Sequence, residues 1–143
     1  MLDSNAIKYF VDGAFDDNAE LEFLSLKNNA LTTVQSGLFR ALTNLWFLDL
    51  SRNNLVVLGV ESFLGMTSVR YLNLADNQIN DVACGFFHGM APNLNYVNMS
   101  RNQAECRVKL ATRDGGDGVP AIVQCNCGRG FLSKSYCNAD SCP

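Results

Sequence analysis

Four times along the chain the same spelling returns: a leucine-like residue, two others, a second leucine-like residue, one other, a third, two others, then asparagine. The copies are Leu21, Leu24, Leu26, Asn29; Leu45, Leu48, Leu50, Asn53; Val69, Leu72, Leu74, Asn77; and Leu94, Val97, Met99, Asn102. They start at 21, 45, 69 and 94, so the period is 24, 24 and then 25. A fixed period of this size marks a stacked, quasi-one-dimensional architecture. One turn cannot bury its own leucines, so neighbouring turns must share a continuous core. Such a scaffold makes binding, rather than catalysis, the default role.

Numbering each repeat from its first leucine gives every slot a physical reason. Positions 1, 4 and 6 point inward, and the alternation over positions 2 to 7 predicts a short strand with one buried face. Position 11 is apolar (Leu31, Leu55, Ile79, Ala104), as is position 14 (Val34, Leu58, Val82). Position 19 is Phe39, Phe63 and Phe87, a ring filling the wide convex half. Asparagine at position 9 carries both a donor and an acceptor where the chain turns inward, so it can satisfy backbone groups otherwise buried unpaired. Stacked turns then give an asparagine ladder, Asn29, Asn53, Asn77 and Asn102. The register extended backwards adds Asn5, with Leu2, Ile7 and Phe15 each 24 residues before its counterpart.

That register places Met1 at position 5, inside a turn. The expectation is therefore a piece of a longer protein, and the lack of a basic, apolar leader at Met1–Asn5 carries little weight. The fold expected is an α/β solenoid with a short parallel sheet on its concave side, plus a small disulfide-rich tail. Residues 1–104 hold the repeats, with a partial repeat over 1–20. Residues 105–143, which lack the repeat spelling, hold a loop rich in glycine and then a cysteine-rich segment.

The run Leu31-Thr-Thr-Val-Gln-Ser-Gly-Leu-Phe-Arg-Ala-Leu-Thr-Asn-Leu45 resembles the typical extracellular leucine-rich repeat, as in variable lymphocyte receptors, Slit proteins and Toll-like receptor ectodomains. The resemblance covers residues 2–104. It implies a secreted or cell-surface recognition module that binds proteins, often on the concave face; the residues themselves offer no catalytic constellation, and no cofactor is expected. The run Cys125-Asn-Cys127-Gly-Arg-Gly130-Phe131-Leu-Ser-Lys-Ser-Tyr-Cys137 resembles the second half of a module like epidermal growth factor, or an ephrin-receptor-like cysteine module. That likeness implies pairing of Cys127 with Cys137, and of Cys125 with an upstream cysteine such as Cys106.

The six cysteines are Cys84, Cys106, Cys125, Cys127, Cys137 and Cys142. An even number clustered at one end reads as a disulfide framework in an oxidising compartment. Register also allows Cys84 and Cys106 to meet across adjacent turns. The spacing permits a zinc site as well, which would need four thiolates brought together. Asp114 and Asp117 lack the alternating ligands and terminal glutamate of a calcium loop.

The candidate binding surface is the exposed side of the strands. Position 3 reads Phe23, Phe47, Tyr71 and Tyr96, with Trp46 beside it at position 2. Neighbouring strands lie about 4.8 Å apart, so these rings form one column. Aromatic rings are enriched in interface cores, which favours a binding surface. The alternative is self-stacking along the sheet, at about 0.2–1 kcal/mol per cross-strand pair. Around the rings stand Arg70 at position 2, Asp49, Asn73 and Asn98 at position 5, and Arg52, Asp76 and Arg101 at position 8. They suit a polar rim, or they pair with one another along the stack. Asn98-Met99-Ser100 is a glycosylation sequon whose glycan would obstruct the last turn.

Other chemistries find little here. A net charge of -3 leaves no electrostatic footprint for nucleic acid. No apolar run approaches the roughly 20 residues of a membrane span. The single histidine, His88, has no nucleophile in register with it, and no metal-ligand spacing beyond the cysteines stands out. The partner expected is a protein ligand or a neighbouring extracellular domain.

Overall fold

The computed structural model describes residues 1–59, 61–82, 94–103 and 122–124, of which 81–82 and 122–124 are described as backbone alone. Its strands are β1 (Phe23–Ser25), β2 (Phe47–Asp49), β3 (Val57–Leu58), β4 (Tyr71–Asn73), β5 (Asp81–Val82), β6 (Tyr96–Asn98) and β7 (Ile122–Gln124). One parallel sheet has the order β1-β2-β4-β6-β7, and a second, two-stranded one pairs β3 with β5. Phe23 stands beside Phe47, Phe47 beside Tyr71, and Tyr71 beside Tyr96. Position 3 thus meets position 3 across every pair, as a fixed repeat requires. The chain is the expected solenoid with a short parallel sheet.

Its core follows the repeat slots. Leu24, Leu48, Leu72 and Val97 at position 4 are buried, as are Leu26, Leu50, Leu74 and Met99 at position 6. Behind them Phe15, Phe39 and Phe63 form the convex ladder, with centroids 5.9 and 6.1 Å apart. The asparagine ladder runs just beyond the C-terminal ends of β1, β2, β4 and β6. Asn53 Oδ1 accepts the Leu31 N–H at 3.1 Å, while its Nδ2 donates to the Leu26 and Leu50 carbonyls, each at 3.0 Å. Asn29, Asn77 and Asn102 repeat the same pattern, each reaching one turn back. Asn5 makes only the local part, donating to the Leu2 and Asp3 carbonyls, and is exposed.

Two features depart from expectation. The described residues contain no helix, so the α part of the expected α/β solenoid has no counterpart among them. The convex returns are chains of tight turns instead. Leu38 N–H bonds to the Gln35 carbonyl, Arg40 to Gly37 and Leu42 to Phe39, each three residues back. Such a return is too short for a helical nucleus to gain from propagation, and Gly37 breaks it with a φ of 74°. The sheet also runs one strand further than the leucine spelling. β7 pairs with β6 from within the segment where no repeat is spelled, Ile122 standing beside Tyr96.

Gly65 shows how closely the turns approach. Its φ is 90°, and a Cβ there would lie 2.6 Å from the Arg40 carbonyl oxygen and 2.8 Å from its Cα, in the preceding turn. Only glycine fits both demands.

Candidate functional site

The exposed side of the sheet gathers the aromatic column. Phe23 and Phe47 stack with centroids 4.3 Å apart and planes 4° from parallel. Trp46 makes T-shaped contacts with three rings, Phe23 at 6.4 Å, Phe47 at 5.9 Å and Tyr71 at 6.3 Å. Tyr71 and Tyr96 lie 6.2 Å apart. Self-contact therefore accounts for part of the column's energy. It does not close the surface: Trp46 stays 39% exposed, Tyr71 43% and Phe23 36%, with Phe47 and Tyr96 half-buried. Only the Phe23–Phe47 pair is face-stacked, while the Trp46 contacts are T-shaped and the Tyr71–Tyr96 pair is tilted.

Position 5 does a different job from the one its polarity suggests. Asp49 Oδ1 accepts the Ser51 N–H at 2.8 Å, Asn73 Oδ1 accepts that of Ala75 at 3.2 Å, and Asn98 Oδ1 that of Ser100 at 3.0 Å. Each is an Asx turn, which bends the chain out of the strand. Asn73 Nδ2 also donates to Asp49 Oδ2 at 3.1 Å, tying two turns together. Asp49 is buried, and Asn73 and Asn98 are half-buried. These oxygens are engaged in shaping the turn. For Asn98 this holds the sequon amide in the sheet face.

Position 8 completes that bend. Ser4, Asn28, Arg52, Asp76 and Arg101 all have φ between 55° and 57°. A left-handed residue recurs at this slot in every turn described. Asn and Asp tolerate it, whereas arginine accepts it at a cost of about 1–2 kcal/mol. The signal was present in the sequence as Asn28 and Asp76 at the same slot, but Arg52 and Arg101 masked it.

The position 8 side chains pair along the stack. Arg101 binds Asp76 through Nε and Nη2 together, a two-pronged contact. Arg52 Nε lies 3.9 Å from the same carboxylate. The hydrogen bonds from Arg101 hold the Asp76 carboxyl below its ordinary range, and the charges of Arg101, Arg52 and Lys27 add to that. Asp76 in turn raises the Arg101 guanidinium. Arg70 has no ion pair among the described residues, and its backbone N–H bonds to the Trp46 carbonyl at 2.9 Å.

No group of three or more metal-ligating side chains occurs among the described residues, and no helix there is long and apolar enough to cross a membrane. All six cysteines and His88 lie outside the described residues, as do Phe87, Asp114 and Asp117.

Comparison with known proteins bears on what such a surface does. The family model described as leucine rich repeat matches residues 1–55 and 47–103. No curated protein matches the chain. Among solved structures, the leucine-rich repeat domain of APL1 is 29% identical with a TM-score of 0.64, over 71% of this chain and 26% of that one. A chain of the TLR13–ssRNA13 complex is 30% identical with a TM-score of 0.66, over 70% of this chain and 14% of that one. A chain of the Toll–Spatzle complex, a hub in Drosophila development and innate immunity, shares the fold at 24% identity and a TM-score of 0.67. It is covered over 70% of this chain and 13% of its own length. The chain thus spans less than a third of the length of the structures it resembles.

Proposed function

We propose, from the premise that the chain belongs to the leucine-rich repeat family, that it is a protein-recognition segment of a secreted or cell-surface protein. Its ligand sits on the face lined by Phe23, Trp46, Phe47, Tyr71 and Tyr96. One observation carries this reading: the rings satisfy each other only in part and leave a contiguous apolar surface in water. Soluble proteins rarely expose such a patch without using it. The likeness to a chain of the TLR13–ssRNA13 complex, at 30% identity, favours an extracellular setting. We assign the chain a binding role with no catalysis, no cofactor and no membrane insertion.

The test is substitution of Tyr71 or Phe47 by Ala. Either change should weaken ligand capture by about tenfold or more, the size of an interface hot spot. The melting temperature should fall by only a few degrees, far less than for truncation of a core leucine. A structural spacer in a larger extracellular assembly would give the opposite outcome, with binding unaffected. The cysteine-rich segment belongs to the same reading, as a disulfide-bonded extension of the repeats. Mass spectrometry of unreduced peptides should recover Cys127 linked to Cys137; free thiols at all six cysteines would argue against an oxidising compartment.

A further inference from the structure

The charge around the aromatic column is unevenly placed on a chain that is acidic as a whole. The whole chain carries -3. The sheet side and its rim hold four cations, Lys27, Arg52, Arg70 and Arg101, and four carboxylates, Asp3, Glu22, Asp49 and Asp76. Those carboxylates are not equally available. Asp49 accepts hydrogen bonds at both oxygens, from Ser51 and from Asn73. Asp76 is gripped by Arg101 and approached by Arg52. Half-buried Asp3 and exposed Glu22 have no ion pair among the described residues, and both lie at the β1 end. Towards β4 and β6 the surplus is cationic on both flanks of the rings. Arg70 stands at position 2, while Arg52 and Arg101 stand at position 8, two guanidinium groups sharing one carboxylate.

Resting on the recognition reading above, we infer that the ligand is a polypeptide segment with an apolar or aromatic anchor flanked by carboxylates. The anchor seats on Trp46, Phe47 and Tyr71. Its acidic flanks reach Arg70 on one side and Arg52 with Arg101 on the other. Two properties of arginine suit this. Its planar fork takes a carboxylate in two parallel bonds. Asp76 fills only part of the donor set of two arginines, so Arg52, whose nearest contact with it is 3.9 Å, keeps donors for an incoming carboxylate. Charge complementarity of this kind selects partners and speeds encounter more than it adds raw affinity. The acidic remainder of the chain would repel the same ligand elsewhere, which confines it to this face.

The test uses the full chain and dye-labelled peptides of about ten residues that share a Trp-Leu-Phe centre. The centre is flanked by Asp and Glu, by Ser, or by Lys. Fluorescence anisotropy at low salt should show the acid-flanked peptide binding about tenfold or more tighter than the Lys-flanked one. The Arg52→Ser, Arg70→Ser double variant should reduce that ratio to about threefold or less, and Glu22→Ala should leave it intact or raise it. Equal affinity for acid- and Lys-flanked peptides overturns the inference while leaving the recognition face standing, provided Tyr71→Ala still abolishes binding. Binding indifferent to Tyr71→Ala and Phe47→Ala overturns the recognition face itself. Failure of every peptide to bind, or tighter binding of a dye-labelled uridine oligomer, also overturns the inference.

Discussion

The side-chain oxygen of Asn77 accepts the backbone N–H of Leu55, one turn earlier, at 3.0 Å. Both residues are buried. The same amide donates to the Leu50 and Leu74 carbonyls, so one side chain satisfies three backbone groups that no water reaches.

Removing such a side chain should therefore cost far more than its size suggests. Asn53→Ala leaves the Leu31 N–H and two carbonyls without this partner, and should destabilise the fold by about 3 kcal/mol in urea unfolding. Asn5→Ala, at the same slot but exposed, should stay within about 0.5 kcal/mol. Equal losses would mean that the ladder's worth lies in local turn formation.

Gly65 and Gly37 separate conformational strain from collision. Both have positive φ, but a Cβ on Gly37 would meet nothing nearer than 3.7 Å, the Arg40 Cδ. Gly37→Ala should cost about 1 kcal/mol through backbone strain alone. Gly65→Ala must also push aside the Arg40 backbone, and should cost about 3 kcal/mol or more. Thermal unfolding of the two variants side by side checks the order.

Neighbouring residues of one strand face opposite media. Leu48 is fully buried, and its change to Ala should cost about 3 kcal/mol. Phe47, larger but half-exposed, should lose about 1 kcal/mol from its stack with Phe23. A loss at Phe47 matching that at Leu48 would make the column part of the core and remove its claim to be a docking surface.

Acid should loosen the position 8 ladder. The Asp76 carboxyl is lowered in the folded chain by its bonds to Arg101, so its contribution is present above the unfolded value of about 3.9 and lost as pH falls through the lower folded value. An Asp76→Asn variant should be less stable than the parent at neutral pH, with the gap closing below about pH 4. High salt should shrink the gap, since the groups are accessible to solvent.

Much of this was legible before any coordinates. Leu24, Leu26 and Asn29 with their counterparts dictate strand, core and ladder, because burial and hydrogen-bond satisfaction act at fixed intervals. The aromatic column followed from period alone. What stayed hidden were local backbone states. Asp49, Asn73 and Asn98 looked like ligand groups because their polarity is visible, while their bonds to the amides two residues on are not. Arg52 and Arg101 announced charge and concealed a left-handed φ. The turns of the convex side, too, depend on i to i+3 bonds that apolar spacing cannot tell from a short helix.

The Oδ1 bonds of the ladder link a turn only to the turn before it, at a separation of 22 residues for Asn29, Asn53 and Asn77 and 23 for Asn102. The longer interval still closes at 2.9 Å. Slack on the return path is thus absorbed without disturbing the lock. Copying or deleting a whole turn would leave every such bond with a valid partner, whereas losing one residue from a strand would misalign the bonds that turn makes with its neighbours. The molecule is built like a text whose lines can be added or struck out, but whose line length near the margin cannot change.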